Sequence, residues 1–333
     1  MIALLERFLD AWIPRAFRER PDGVAPWFYD YFAELAEAGG RKRYARALSA
    51  DLHLARVDVS GAVVVDAGSG FGVTLACLAA LGARRALGVE AFAPMARSAE
   101  VLSSRYASDL PVHCVRGSVH RFPLPSRAVD FVYCNEALSH FLDPDAFLAE
   151  TARILRPGGR FMICDGNNAA NPATVAEVHE VWKAFEEGPG HRELHGHRIE
   201  VPYRRQRQTM IGEALPGLAE EVSERLAWGT FGLHGGAVVE KARGDLAGGR
   251  LPERPPAVDA CPVDPVKGDH IENLIDPAAL RSRLGELGFS VRVHAHFGGA
   301  RSPWIAAANR VLRALTPVTL RHARSVKVVA VRR

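Results

Sequence analysis

The chain has 333 residues, of which 48% are hydrophobic and 24% are charged, and its formal net charge is +4. These values are typical of a globular enzyme with one large or two smaller domains. No run of about 18 apolar residues is present, so the sequence predicts no membrane span. Residues 1–20 lack the apolar core of a signal peptide, and the five cysteines are scattered without a CxxC pair. We therefore expect a cytoplasmic protein without structural disulfides.

The first 54 residues are predicted to be helical. Apolar side chains recur at helical spacing in residues 1–12, which indicates an amphipathic helix, and Pro14 is expected to end or kink it. Residues 26–38 and 42–50 are expected to form two further helices. We interpret residues 1–54 as a helical cover on one side of a ligand cleft.

Strands and helices then alternate through residues 55–165. Strands are predicted near residues 62–66, 86–90, 112–115, 129–134 and 160–165, and helices near residues 72–82, 93–106 and 144–155. This order, with short connections, predicts a doubly wound, mostly parallel sheet in an α/β fold. Ligands bind such sheets beyond the carboxyl ends of the strands.

The alternation stops in residues 166–275, which are rich in Gly, Pro, Arg and His. Within them, residues 172–187 are predicted to be helical, and we interpret the whole segment as a lid insertion that binds the substrate. Residues 276–333 are expected to complete a seven-stranded sheet, with a helix at 276–287 and strands at 289–293 and 325–331.

The most informative motif is a glycine-rich turn after the first predicted strand. The sequence there reads Val63-Val64-Val65-Asp66-Ala67-Gly68-Ser69-Gly70-Phe71-Gly72. The β-branched residues predict a buried strand, and the glycines allow the backbone to approach a ligand closely. The following helix would present its N-terminal N–H groups to that ligand. The G-x-G-x-G spacing differs from the G-x-G-x-x-G fingerprint of dinucleotide-binding folds.

Three further motifs follow in a fixed order. Glu90 ends the second predicted strand, where a carboxylate can accept two hydrogen bonds from a ribose diol. The other two are Asp130-Phe131-Val132-Tyr133-Cys134-Asn135 and Leu155-Arg156-Pro157-Gly158-Gly159-Arg160-Phe161. Together with the glycine-rich turn, this ordered set resembles the class I S-adenosylmethionine (SAM) dependent methyltransferases. The resemblance covers about residues 55–165, with a weaker similarity near residues 276–333, and implies a Rossmann-like fold.

The resemblance also implies a set of cofactor-binding residues. In this family the glycine loop passes under the methionine part of SAM. The acid at the position of Asp66 lies near the methionine ammonium, and the acid at the position of Glu90 binds the ribose. Adenine recognition usually involves an Asp after the third strand, but Ser118 stands there in this chain. The implied cofactor-binding residues are Asp66, Gly68, Gly70, Gly72, Glu90, Ser118, Val119 and Asn135, and the implied product is S-adenosylhomocysteine.

The sequence indicates the residues that contact the methyl acceptor less clearly than those that bind the cofactor. Positioning alone can supply much of the rate of methyl transfer, and a general base is needed only for some acceptors. The predicted substrate contacts are Asp165, Asn167 and Asn168, although Asn and Asp also favour turns. The candidates for a general base are His191, His195, His197 and Tyr203, with plain surface or packing roles as the alternative for each. No helical HExxH pattern is present, and we predict no metal site.

These motifs favour a SAM-dependent methyltransferase that transfers a methyl group to O or N of a small molecule by SN2 displacement. Residues 135–138 lack the Pro-Pro-aromatic motif of the nucleic-acid members of the family, so we expect no nucleic-acid partner. One alternative is an acceptor on a lipid-linked or glycan intermediate at a membrane surface. Another is a SAM-binding regulator without turnover. The sequence does not indicate an oligomeric state.

The C-terminal segment is strongly basic. Residues 281–333 contain ten Arg and one Lys against a single acid, Glu286. This charge predicts either a solvated face or attraction to an anionic substrate, membrane or nucleic acid. One predicted helix face in this segment is apolar and would either lie at a membrane interface or pack on the sheet. Its residues are Trp304, Ile305, Ala308, Val311, Leu312 and Leu315, with Arg310 and Arg313 nearby.

Overall fold

The structure is a computed structural model that describes residues 1–298 and 303–333. The chain divides into two compact units. The first unit contains Met1–Leu138, Asp143–Gly166 and Asp276–Arg333, and the second contains Ser139–Leu142 and Asn167–Ile275. In chain order, the second unit is therefore inserted into the first.

The strands are β1 Val63–Ala67, β2 Arg85–Glu90, β3 Val112–Arg116, β4 Val129–Asn135, β5 Leu155–Asp165, β6 Arg192–Leu194, β7 His197–Ile199, β8 Phe289–His296 and β9 Ser325–Arg332. The α-helices are α1 Ile2–Glu19, α2 Phe28–Tyr31, α3 Ala33–Ala36, α4 Ala38–Ala55, α5 Val73–Ala80, α6 Ala93–Tyr106, α7 Pro144–Ile154, α8 Pro172–Glu187, α9 Tyr203–Ala214, α10 Glu220–Trp228, α11 Gly236–Ala247, α12 Pro277–Glu286, α13 Pro303–Ala314 and α14 Thr316–Thr319.

A seven-stranded sheet forms the centre of the first unit. Its strand order is β3-β2-β1-β4-β5-β9-β8. The first five strands of the chain pair in parallel, whereas β9 is antiparallel to both β5 and β8. All five residues of β1 are buried, as expected for a central parallel strand. The predicted mostly parallel, seven-stranded Rossmann-like sheet is confirmed.

The N-terminal helices differ from the prediction in their boundaries. Helix α1 does not end at Pro14 but continues to Glu19, because Ile13 and Ala16 extend its buried apolar face across the proline. The single helix predicted over residues 26–38 is wrong, because Phe32 leaves helical geometry between α2 and α3, and the extended backbone of Glu37 ends α3.

The elements at residues 276–333 join the sheet as predicted. Helix α12 begins at Pro277, and the side chain of Asp276 caps it by accepting hydrogen bonds from the N–H groups of Ala278 and Ala279. Strand β9 inserts between β5 and β8. Among the residues that the structure describes, no helix is both long enough and apolar enough to cross a bilayer.

The second unit contains more regular structure than its Gly- and Pro-rich sequence indicates. Helix α8 is followed by the β6–β7 hairpin and by α9, α10 and α11. A buried ion pair joins α9 to α8, in which the guanidinium of Arg207 contacts both carboxylate oxygens of Glu186 and also donates to the carbonyl of Ala227. The side chains of Arg207 and Glu186 are 0% and 3% exposed.

Replacement of Arg207 by Ala should strongly destabilise the second unit. Glu186 would then keep a buried charge without its partner, which costs about 3–5 kcal/mol. The measurement is the free energy of unfolding in urea. The exposed Arg205 on the same helix provides the control, since Arg205→Ala should change this free energy by less than about 1 kcal/mol. An Arg207→Met/Glu186→Leu double variant should recover most of the loss, and equal effects of Arg207→Ala and Arg205→Ala would contradict the interpretation.

Candidate cofactor-binding site

The glycine-rich loop between β1 and α5 leaves open space above its backbone. Gly70 has a φ of +52°, and a Cβ atom added to it would meet no heavy atom within 4 Å. Gly72 has a φ of +76° and precedes the first residue of α5. These left-handed conformations favour glycine. The loop therefore exposes its backbone at Gly70 to a volume in which a ligand chain can lie.

The carboxylate of Glu90 at the end of β2 holds this loop in place. Its Oε2 accepts a hydrogen bond from the N–H of Gly70 at 2.9 Å, and its Oε1 accepts one from the N–H of Phe92 at 2.8 Å. Each carboxylate oxygen has a second lone pair, so Glu90 can still accept hydrogen bonds from a ligand. One side chain thus connects the glycine loop to the turn that follows β2.

Asp66, near the end of β1, is buried, with only 3% of its surface exposed. Among the residues that the structure describes, its Oδ2 has no hydrogen-bond partner. Burial, and then the negative charge of Glu90, raise the pKa of Asp66 to about 7. A buried carboxylate without a partner is costly and is well suited to a cationic ligand group.

Aromatic side chains from the N-terminal segment pack around Phe71 of the glycine loop. The ring of Phe71 is 5.2 Å from that of Phe28, 6.0 Å from Phe32 and 6.2 Å from Tyr31, measured between centroids. Trp27 contacts the same ring at 6.4 Å. The segment predicted as a helical cover therefore packs directly on the glycine loop.

The remaining predicted cofactor residues lie after β3 and at the end of β4. Ser118 is exposed, and its hydroxyl accepts a hydrogen bond from the N–H of His120 at 3.1 Å, whereas Val119 is buried. Asn135 is exposed at the last position of β4. Since β1, β2, β3 and β4 are parallel neighbours, all of these residues belong to the same edge of the sheet as Asp66 and Glu90.

The sequence of this region matches a known family. Residues 65–163 match the family described as "Methyltransferase domain", and this range contains the glycine loop, Glu90 and Asn135. The seven-stranded sheet has the architecture predicted from the same motifs. The chain has a class I SAM-dependent methyltransferase fold.

Curated relatives are similar over less than half of this methyltransferase-fold chain. An uncharacterized 37.1 kDa protein in transposon TN4556 of Streptomyces fradiae is 30% identical over 145 residues, which is 43% of this chain and 40% of that protein. The ubiquinone biosynthesis O-methyltransferase of Xanthomonas oryzae pv. oryzae is 31% identical over 158 residues, which is 45% of this chain and 64% of that protein. The chain therefore spans less than two thirds of the length of these relatives.

A search of solved structures finds similar chains at low sequence identity. The YcgJ protein from Bacillus subtilis is similar with a TM-score of 0.48 and 13% identity, and the match covers 86% of this chain and 98% of that chain.

The residues around the glycine loop fit SAM. The open space at Gly70 can take the methionine chain, and the unpartnered Oδ2 of Asp66 can accept a hydrogen bond from the methionine ammonium. The carboxylate of Glu90 can accept hydrogen bonds from the ribose hydroxyls. These assignments remain predictions, and each is supported by the local geometry of the methyltransferase domain.

A buried polar network next to Asn135 was not predicted from the sequence. Asp51 on α4 forms an ion pair with Lys327 on β9 and accepts hydrogen bonds from the hydroxyl of Tyr133 at 2.9 Å and the thiol of Cys164 at 3.6 Å. Burial alone would lower the pKa of Lys327, but the neighbouring Cys164 and Asp51 together outweigh it, and the pKa is raised. These residues come from four distant segments, and none belongs to a recognisable motif.

The same network reaches the exposed edge of the sheet through Tyr133. Its hydroxyl oxygen is 3.3 Å from the side-chain oxygen of Asn135. Asn135 is therefore in contact with the buried network through the hydroxyl of Tyr133.

The three predicted substrate contacts have different environments. Asp165 is buried at the end of β5. In the second unit, the amide nitrogen of Asn167 donates to the carboxylate of Glu272. Asn168 is fully buried, and its side-chain oxygen accepts a hydrogen bond from the N–H of Ala170 at 3.0 Å, which is a turn contact. Two of the three predicted substrate contacts are thus buried side chains.

Two of the predicted catalytic candidates make ion-pair contacts near the surface of the second unit. The side chain of His191 is 83% exposed, and its Nδ1 is 3.2 Å from the carboxylate of Glu200. His195 lies between two carboxylates, with its Nδ1 3.2 Å from Glu177 and its Nε2 2.9 Å from Glu180. These contacts are typical of surface ion pairs.

Of the other two candidates, Tyr203 is buried, whereas the side chain of His197 is 28% exposed, which is close to the 29% of His195. Burial, and then the charge of Asp264, raise the pKa of Tyr203, so its phenol is protonated at neutral pH and is a poor base. The Nε2 of His197 is 3.9 Å from Oε1 of Glu272. Because Asn167 contacts the other oxygen of this carboxylate, Glu272 brings a predicted base and a predicted substrate residue together.

Replacement of Glu90 by Ala should weaken SAM binding. The change removes the proposed ribose contact and the anchor of the Gly70 N–H, and a lost charged hydrogen bond costs about 1.5–3 kcal/mol, or about 10–100-fold in affinity. Calorimetric titration with SAM measures the effect. Glu100→Ala, at an exposed position on α6, is the matched control and should leave the dissociation constant unchanged. Equal dissociation constants for both variants would rule out the assignment of Glu90.

The affinity for SAM should also depend on the charge of Asp66. Because its pKa is raised to about 7, the carboxyl group becomes protonated below that pH and can no longer pair with an ammonium group. Lowering the pH from about 7.5 to about 5.5 should therefore weaken SAM binding by about 10-fold or more. Asp66→Asn should bind weakly at both pH values with little pH dependence. The same pH profile in wild type and Asp66→Asn would show that another group titrates.

Proposed function

We propose that the chain is a SAM-dependent methyltransferase that transfers a methyl group to O or N of a small-molecule acceptor. The observation that carries this proposal is the buried carboxylate of Asp66, whose Oδ2 has no hydrogen-bond partner among the described residues, beside an open glycine loop that Glu90 holds in place. These features lie within the range that matches the methyltransferase-domain family. A relative named as an O-methyltransferase supports an oxygen acceptor in particular.

The residues of the first unit would bind and orient the methyl donor. Asp66 would hold the methionine ammonium, the backbone at Gly70 would lie along the methionine chain, and Glu90 would hold the ribose. Bound SAM supplies a methyl group on a sulfonium, which is already an activated leaving group. The contribution of the protein is then mainly to position the acceptor in line, which can supply about 7–11 kcal/mol.

For an acceptor that must lose a proton, we propose His197 as the general base. Imidazole is the side chain whose ordinary pKa lies closest to neutral pH. The carboxylate of Glu272 near His197 Nε2 would orient the ring and stabilise its protonated form, and catalytic hydrogen bonds are often long before the ligand binds. Asn167 keeps the same carboxylate in position through its second oxygen.

The proposal is tested with purified protein, SAM and a panel of phenols, catechols and amines. Formation of S-adenosylhomocysteine together with a methylated acceptor would support it. Calorimetric titration with SAM in parallel distinguishes a protein that binds SAM without turnover from one that does not bind SAM. SAM binding without turnover on any acceptor would favour a regulator, and absence of SAM binding would contradict the proposal itself.

Replacement of His197 by Gln should reduce turnover with a hydroxyl acceptor by about 10²–10⁴-fold if His197 is the base. The dissociation constant for SAM should stay the same, because the residue is not among those proposed to hold SAM. His191→Gln is the matched control, since this exposed histidine should be replaceable without loss of turnover. Similar turnover of both variants would leave catalysis to positioning alone.

A further inference from the structure

Helix α13 has its apolar side in solvent. Trp304 is 83% exposed and Val311 is 64% exposed, and Leu315, just after the helix, is also exposed. At about 100° per residue, positions 304, 308 and 311 fall within an arc of about 60°. The sequence pattern therefore forms one continuous apolar stripe, and the structure leaves it uncovered. The side chain of Arg310 lies outside the described residues.

On the side of α13 that faces the protein, polar side chains make the contacts. The Oδ1 of Asn309 accepts a hydrogen bond from the N–H of Phe297 at 3.0 Å, and its amide nitrogen donates to the carbonyl of Gly298. The hydroxyl of Thr316 accepts from the N–H of Ala295 at 3.2 Å. Asn309 and Thr316 are both buried.

An amphipathic helix of a globular protein normally buries its apolar stripe and exposes its polar face. In α13 the buried Asn309 lies about 140° around the helix from Trp304. The helix is thus held to the end of β8 by polar side chains, with its apolar stripe directed away from them. Such an uncovered stripe of large side chains indicates an interaction surface.

The positive charge of the chain around α13 favours an anionic partner. Residues 287–333 contain nine basic residues and no acid, and one of the nine, Lys327, is paired with Asp51. Arg321 and Arg324, which follow α14, are exposed. In a symmetric dimer formed through this surface, the two basic segments would face each other and repel. An anionic lipid surface instead attracts the arginines and takes up the apolar stripe, with Trp304 at the level of the headgroups.

We propose that α13 is a peripheral membrane-binding helix that inserts its stripe of Trp304, Ala308, Val311 and Leu315 into an anionic lipid surface. The exposed Val318 of α14 lies next to it in the chain and adds apolar area. This surface is distinct from the proposed SAM site and would bring the whole chain to a bilayer. Its test does not depend on methyl transfer.

The experiment is flotation of the full chain with vesicles, without any methyl donor. One vesicle is phosphatidylcholine alone, and in the other roughly a third of the lipid is phosphatidylglycerol. The wild type should float with the anionic vesicles, bind the neutral ones at least ~10-fold more weakly, and dissociate as salt is raised from ~0.1 M to ~0.5 M. A Trp304→Glu/Val311→Glu double variant should lose ~10-fold or more of the binding to anionic vesicles.

Val266→Glu is the matched control, because Val266 is 72% exposed and lies in the other unit. It should bind anionic vesicles like the wild type. The melting temperatures of all three proteins should agree, since the changed side chains are exposed. The proposal is overturned if the wild type does not float, if it binds both vesicles equally, or if the double variant binds like the wild type. If the wild type does not bind vesicles but forms a dimer, and the double variant is a monomer, the partner of this surface is a second copy of the chain.

Discussion

The parallel pairing of β1 with β2 and β4 is the constraint on which the candidate site depends. Residue Asp66 pairs in register with Gly88 on one side and Tyr133 on the other. Because parallel strands end at the same edge, this register places the glycine loop, Glu90 and Asn135 side by side. A shift of one residue in either pairing would turn these side chains to the other face of the sheet.

The same register also places the carboxylates of Asp66 and Glu90 near each other at this edge of the sheet, and this affects their charge. Burial, and then the carboxylate of Glu90 at the neighbouring strand end, raise the cost of ionising Asp66, so its pKa is raised to about 7. A cationic ligand relieves that cost, so the site is arranged for a ligand with a positive charge. In the same unit, Asp51 pairs with Lys327, and this pair joins an N-terminal helix to the last strand.

The two surprising features of the chain both involve polar groups in apolar positions. In the second unit, the fully buried Arg207 joins two helices through Glu186, in a segment whose composition favours loops. In the first unit, Asn309 of α13 and Thr316 of α14 form hydrogen bonds with residues at the end of β8, and the apolar stripe of α13 is left exposed. In each case hydrogen bonds satisfy the buried polar atoms, so a count of apolar residues alone predicts the wrong face or no structure.

The sequence by itself determined the sheet, the glycine loop and Glu90, because strand period, turn chemistry and motif order are local properties of the chain. It also indicated the apolar stripe of α13 but not whether that stripe is covered. Only the tertiary structure decided that Glu272 lies near both His197 and Asn167, that Tyr203 is buried, and that Asp51, Tyr133 and Lys327 meet. Such contacts join residues from distant segments, and no local pattern encodes which of many similar side chains will be neighbours.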